Sequence, residues 1–304
     1  DAVLLWQDSP NLVTDIRLMP DKHTVQFSVN RDHIAQGNAV IAIKSTTGYI
    51  IWNWHIWVTD LDLYDRTESF YGEDIPVARR AEATSAEDSQ YYMMPVNLGW
   101  CCKSGSFHEP VKVLVKFTQN ESGKTAILQI ARNGAINGNV MGNNTYYQWG
   151  RKDPFPGALN DGSNKPWYSE SGSRYTSNFH WSPDTWRVVK TILDPMTFYT
   201  NLDYLGCHPN MWNMQEDGVR LFYTETKTIF DPCPVGYMVP NRDAFSNFKR
   251  RVGKFNNGGT FASIDKSRTI FFPATGYRNG INRGILSDVG VMGDYHTLNP
   301  KNPE

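Results

Sequence analysis

The stretch Thr228–Phe248, TIFDPCPVGYMVPNRDAFSNF, decides how this chain is built. Pro232 and Pro234 bracket Cys233, so the backbone is held extended and neither proline can donate to a sheet. Gly236 then permits a tight reversal. Beyond Pro240, Asn241 is a good helix N-cap and Asp243 complements the positive end of a helix. Ala244, Phe245, Phe248 and Val252 recur at helical spacing, with Arg250 and Arg251 in the last turn and a stop at Gly253. The pattern predicts a strand-to-helix corner followed by one short amphipathic helix.

The N-terminal part reads as strands. Val3–Trp6 is an apolar opening, and Val25, Phe27 and Val29 alternate with polar residues as a half-buried strand does. Ala39–Ile43 is a continuous apolar run between Gly37-Asn38 and Thr46-Thr47-Gly48, which predicts a strand covered on both faces, with Tyr49–Val58 as the return arm of a hairpin. In that arm Ile50, Trp52, Trp54, Ile56 and Val58 share one face, and Ile51, Asn53, His55 and Trp57 the other. Trp54 is therefore a structural candidate. No second histidine or carboxylate stands at a ligand spacing from His55, so it is expected to be a packed histidine hydrogen-bonded to backbone.

From Asp60 to Gln90 the chain turns polar, and Arg80–Asp88, RAEATSAED, is the best linker or exposed-loop segment. After Met93–Trp100 and the adjacent Cys101-Cys102, Val111, Val113, Val115 and Phe117 alternate with Lys112 and Lys116 up to a turn at Asn120–Gly123. The return arm puts Ala126, Leu128 and Ile130 on one face, so a second hairpin with one wet side is expected. Gly142–Asn213 is rich in aromatics and turn formers with little periodicity, which predicts long loops. Their rings are either the core of a loop-rich domain or a platform for sugar rings; Trp149, Trp167 and Trp181 are the candidates to face a ligand. Near the end, Phe271-Phe272-Pro273 favours an extended entry and Gly276 a packed turn. Arg278 is expected to act as an internal clamp, donating to carbonyls or an acid while its stem packs on an aromatic ring.

Composition sets bounds on function. The 304 residues suffice for one large or two modest domains, and a net charge of −1 leaves no nucleic-acid footprint. Aromatics at 13%, with 24 Gly and 17 Pro, suit a loop-rich, largely β extracellular protein better than a helical one. No apolar run reaches membrane-spanning length and no signal-peptide pattern opens the chain, which begins at Asp1 and so reads as processed or trimmed. The cysteines Cys101, Cys102, Cys207 and Cys233 show no Cys-x-x-Cys spacing and no accompanying histidine pair, so no metal site is assigned. The carboxylates Asp153, Asp161, Asp184, Asp194 and Asp203 are scattered rather than spaced as calcium ligands. No catalytic residue and no cofactor is assigned either.

Thr228–Phe248, Phe271–Gly280 (FFPATGYRNG) and Tyr146–Gly157 (YYQWGRKDPFPG) resemble, in order, the Fibrobacter succinogenes major paralogous domain of Bacteroidetes surface proteins, including tip subunits of fimbriae. Trp52–Asp60 (WNWHIWVTD) and Met93–Trp100 (MMPVNLGW) resemble the same proteins. That family is similar in turn to the C-type-lectin-like fold of formylglycine-generating enzymes. The resemblance implies a β-dominated α+β protein: an N-terminal β-sheet or sandwich portion over 1–65, then a loop-rich C-type-lectin-like domain over 66–304. It also implies export to the outer cell surface, with other fimbrial subunits and a host glycan or protein receptor as partners. Family members carry a further C-terminal segment with a cysteine, so the domain is expected to be incomplete at Glu304. In an exported protein Cys207 and Cys233, 233 − 207 = 26 residues apart, are expected to close a disulfide, with free thiols as the alternative.

Three functions compete on these grounds. The favoured one is a structural or adhesive fimbrial subunit without catalysis. A carbohydrate-binding, lectin-like module is the second. The third is an enzyme: a formylglycine-generating oxidase needs a reactive cysteine pair in a cleft, in the C-terminal part expected to be missing, and a glycosidase needs a specific carboxylate pair that nothing in the chain singles out.

Overall fold

The computed structural model describes residues 1–29, 35–59, 63, 94, 96–101, 107–108, 111–132, 135–136, 144–159, 162–176, 180–185, 188–201, 211–212, 227–240, 258–262 and 269–298. In chain order the elements are β1 (Ala2–Gln7), β2 (Thr14–Leu18), β3 (Val25–Ser28), β4 (Gly37–Lys44), β5 (Ile50–Val58), β6 (Phe107–His108), β7 (Val111–Thr118), β8 (Thr125–Arg132) and β9 (Ala135–Ile136). They continue with β10 (Trp167–Tyr168), β11 (Arg174–Tyr175), β12 (His180–Thr185), α1 (Val188–Leu193), β13 (Thr197–Asn201), β14 (Gly258–Ala262), β15 (Thr269–Pro273), β16 (Tyr277–Asn279) and β17 (Ile285–Ser287). With 41% strand against 4% helix, the protein is β-dominated.

The largest sheet has five strands in the order β11-β10-β1-β4-β5, every neighbouring pair antiparallel. β4 is an inner strand, between β1 and β5, and its residues 39–42 are buried on both faces, which is why its sequence is apolar without alternation. Ala39 and Ile41 join Leu4, Leu12, Val13 and Ile16 in a core beneath the β2–β3 hairpin, and Val40 and Ala42 are buried as well. Ile56 and Val58 of β5 pack on the same core, whereas Trp54, paired with Ile41, is 38% exposed. The sheet continues through β1 into β10, so the N-terminal strands pair with a segment from the loop-rich part of the chain. The 65/66 boundary and the linker over 80–88 lie outside the described residues, as does the helix expected from Asn241.

The second hairpin forms as β7–β8 about the expected turn, with Val115 opposite Leu128 and Phe117 opposite Ala126. Among the side chains described, those toward its turn are exposed on both faces. Phe117 and Leu128 on one face are 56% and 51% exposed, and Leu114 and Ile127 on the other are 66% and 67% exposed. Alternation names the apolar face of a strand pair; it carries no information on whether another layer covers it.

Within Thr228–Pro240 the reversal is organised by Asp231, a residue that local sequence signals leave unmarked. Its carboxylate accepts from the Cys233 N–H at 2.8 Å, the Val239 N–H at 2.8 Å and Lys227 Nζ at 2.6 Å. Pro232 and Pro234 supply no N–H, so Asp231 captures the donor left between them. Gly236 takes φ 86°, as the tight reversal requires. Cys233, Tyr237, Met238 and Val239 are thereby delivered into a core with Met94, Trp212 and Leu298.

Candidate functional site

The three stretches quoted for the resemblance meet around one cavity of about 310 Å³. Thr228–Phe248 contributes Cys233, Val239 and Pro240; Tyr146–Gly157 contributes Tyr146–Trp149 and Phe155; Phe271–Gly280 contributes Thr275–Arg278. Trp212 and Tyr295 add further aromatic wall, and Asp294 and His296 stand exposed at the rim.

Each wall is held by its own bonds. Tyr146 and Phe155 exchange backbone hydrogen bonds at 3.0 and 2.8 Å, and the Tyr146 hydroxyl donates to the Thr275 carbonyl. Trp149 Nε1 donates to the Thr297 carbonyl at 2.9 Å and its ring lies 6.0 Å from that of Trp212. Gly276 sits at φ 66° with its N–H on the Met292 carbonyl; a Cβ there would come within 2.1 Å of the Ser287 carbonyl oxygen. Glycine is thus required by both conformation and space.

Arg278 ties two walls together. One terminal nitrogen donates to the Gly284 carbonyl at 3.1 Å, and the other to the Pro156 carbonyl at 2.9 Å and Asn164 Oδ1 at 3.1 Å. The guanidinium lies 5.1 Å from the Tyr146 ring and 5.8 Å from Phe155. Burial pulls its pKa down to about 10, so it stays charged at neutral pH. A buried cation of this kind, facing carbonyls and ring faces, is a clamp.

Beside the cavity runs a buried polar chain between β1, β4, β5 and the loops. Lys165 Nζ is 2.7 Å from Asp8 Oδ2 and 3.2 Å from Cys101 Sγ. Asp8 also accepts from the Asn38 backbone N–H at 2.7 Å and its side-chain amide at 3.1 Å. Asn38 Nδ2 donates to Asp8 and Gly99, which leaves its Oδ1 to accept from His55 Nε2 at 2.9 Å. His55 Nδ1 then accepts from the Tyr147 hydroxyl at 2.9 Å. His55 is packed as expected, but its partners are two side chains; the expected backbone partner is corrected, because β5 lays the ring across Asn38 of the neighbouring strand.

Desolvation keeps most ionisable groups here neutral. Burial drives His55 down to about 4, with Asp8 opposing and Lys152 assisting. Burial also holds the phenols of Tyr146, Tyr147 and Tyr295 and the thiol of Cys233 well above their usual ranges. The sign for His55 follows: its folded pKa lies below the unfolded value near 6.5, so neutral His55 stabilises the fold fully above that value. Stability is lost as pH falls from about 6.5 to about 4 and then levels off. His55→Gln, which cannot take up that proton, is expected to show a shallower loss of stability than the wild type over this window. Parallel denaturant titrations check this, and equal slopes for the two proteins would contradict it.

Of the ligand-facing candidates, Trp149 lines the cavity. Trp167 is stacked on Tyr175, centroids 4.3 Å apart, with its indole nitrogen buried and without a partner. Trp181 is 41% exposed under the Arg283 guanidinium, 4.5 Å from its ring centroid. Neither is among the cavity walls. Cys233 is a buried free thiol, so the expected disulfide with Cys207 is corrected; Cys207 itself lies outside the described residues. Asp8, Asn38, Asn144 and Lys165 were not singled out by sequence, since no local pattern distinguishes a buried polar residue from a solvated one. Asn144 is 5% exposed and its Oδ1 is buried with no partner. Among the described residues no three His, Cys, Asp or Glu side chains gather as metal ligands, and no helix is long and apolar enough to cross a membrane. Compared with protein-family models, with curated proteins and with solved structures, the chain matches none of them.

Proposed function

We propose that this protein is a non-catalytic subunit of a bacterial surface fimbria that works by adhesion, its loop-rich part a C-type-lectin-like unit and its aromatic cavity the binding face. The observation that supports this is the convergence of the three family-like stretches on a single cavity whose phenols and thiol are kept neutral by burial. A nucleophile or general base needs a pKa poised near the working pH and access to substrate. Burial moves Cys233 and His55 away from that condition, and Cys101, beside Lys165, is 2% exposed and does not line the cavity.

The test is isolation of sheared surface fibres from cells that express the full-length protein, with mass spectrometry of what travels with it. Co-isolation with fimbrial subunits, and labelling of the protein on intact cells, is the expected result. Recovery of the protein only from the cell interior, with no fibre component, would overturn the assignment.

A further inference from the structure

We infer that the β7–β8 hairpin is a dimerisation arm: the free edge of β8 pairs antiparallel with β8 of a second copy of this chain, giving a four-stranded sheet about a two-fold axis. This goes beyond the adhesive reading and does not rest on it. β7 and β8 have eight residues each, about 27 Å of ribbon. From residue 114 round the turn to residue 128 every position is exposed except Val115, which is half-buried. Among the described strands β7 and β8 pair only with each other, and a lone two-stranded ribbon is marginal in water.

The two edges of the ribbon differ, and the difference picks the occupant. The Gln119 N–H donates to the Lys124 carbonyl at 2.9 Å, and the pairs alternate from there with Thr118 opposite Thr125. Lys112 and Lys116 of β7, and Thr125, Ile127, Gln129 and Ala131 of β8, therefore turn their backbone N–H and C=O groups outward. Lysines at alternate positions guard the β7 edge against another strand. The β8 edge has no such guard: Thr125–Ala131, TAILQIA, contains no charge, proline or glycine, and Ile127 is 67% exposed.

What covers this edge must bring backbone partners. Lipid cannot, because the polar groups of an open sheet edge stay unsatisfied in hydrocarbon. A strand of another protein would find no charge on Thr125–Ala131 to select it. A second β8 fits. Antiparallel pairing about a two-fold axis normal to the sheet sets odd-numbered residues opposite odd-numbered ones, so the outward groups of the two copies meet. An axis at Ile127 or Gln129 opposes no like charges, whereas one at Leu128 would set Lys124 against Arg132 of the other copy. The antiparallel sense leaves the two bodies at opposite ends of the ribbon, and the lysines of each outer β7 stop growth at two copies.

The test is sedimentation velocity of the whole chain, with reductant present, from about 1 μM to about 1 mM, the range in which a contact below the roughly 1,200 Å² of standard interfaces is populated. The mass is expected to move from 34.6 kDa toward twice that value as concentration rises. Ile127→Pro removes an outward N–H and no bond to β7, so it should weaken dimerisation by about tenfold or more. Leu114→Pro, the same change on the guarded edge, should leave dimerisation as it is. Ile127→Lys, at a position open enough to take a charge without harm to the hairpin, should weaken it as well. A monomer at every concentration would overturn the inference, including one that binds vesicles or an unlike subunit through this arm. So would a dimer that both Ile127 variants leave intact, one that Leu114→Pro also breaks, or species larger than two copies. None of these outcomes bears on co-isolation with fimbriae, so the two proposals fail separately.

Discussion

Lys165→Met is expected to lower the unfolding free energy by about 3–5 kcal/mol, because it leaves the Asp8 carboxylate buried without its counter-charge. The pair is 2.7 Å apart with side chains 3% and 1% exposed, so water does not replace the lost ammonium. Burial alone would push the Lys165 ammonium down, but Asp8 and Cys101 outweigh it and hold the pKa above the usual lysine range. The folded pKa is raised, so this contribution is present at neutral pH and lost only as pH climbs through the folded value. Asp8 also orients Asn38, and through it His55 and Tyr147, so the damage should spread along that chain. Replacing both partners, as Asp8→Leu with Lys165→Met, should be far milder than the sum of the single changes, since no charge is then left unpaired. Urea titrations of the two single variants and the double variant decide it. A single-variant loss below about 1 kcal/mol would show that the pair behaves as a solvated surface bridge.

Arg278→Ala is the second large effect, expected at about 2–3 kcal/mol. The change strands the carbonyls of Pro156 and Gly284 and the amide oxygen of Asn164, and it removes the cation from between Tyr146 and Phe155. Arg278→Lys should recover little, because one ammonium cannot reproduce a planar fork that reaches three acceptors. Unfolding midpoints of the three proteins, followed alongside receptor adhesion, separate the two roles open to this residue. An unchanged midpoint with lost binding would make Arg278 a ligand contact and overturn the clamp.

Much of the scaffold was legible locally. Ala39–Ile43 states its burial, and β4 with its hairpin partner β5 follows, although β4 runs over Gly37–Lys44, through the Gly37-Asn38 pair expected to bound it. The Pro-Cys-Pro-x-Gly run announces a turn, and Gly276 announces another, because turn chemistry acts over a few residues. The cavity was visible in outline, since its walls come from stretches already notable in sequence, yet their convergence was not.

What the chain determined by itself was therefore periodicity and punctuation: which segments extend, where they reverse, and which face of each is apolar. Only the tertiary structure decided what lies against those faces. It left Leu114, Phe117, Ile127 and Leu128 of β7–β8 exposed, gave His55 two side-chain partners, kept Cys233 a free thiol and placed Lys165 on Asp8. The physical reason is range. Strand and turn preferences are settled among near neighbours, while the Lys165–Asp8 pair joins residues 157 apart and the Arg278–Pro156 bond residues 122 apart. Such contacts carry no local signature, because a buried lysine and an exposed one are the same letter until packing removes the water.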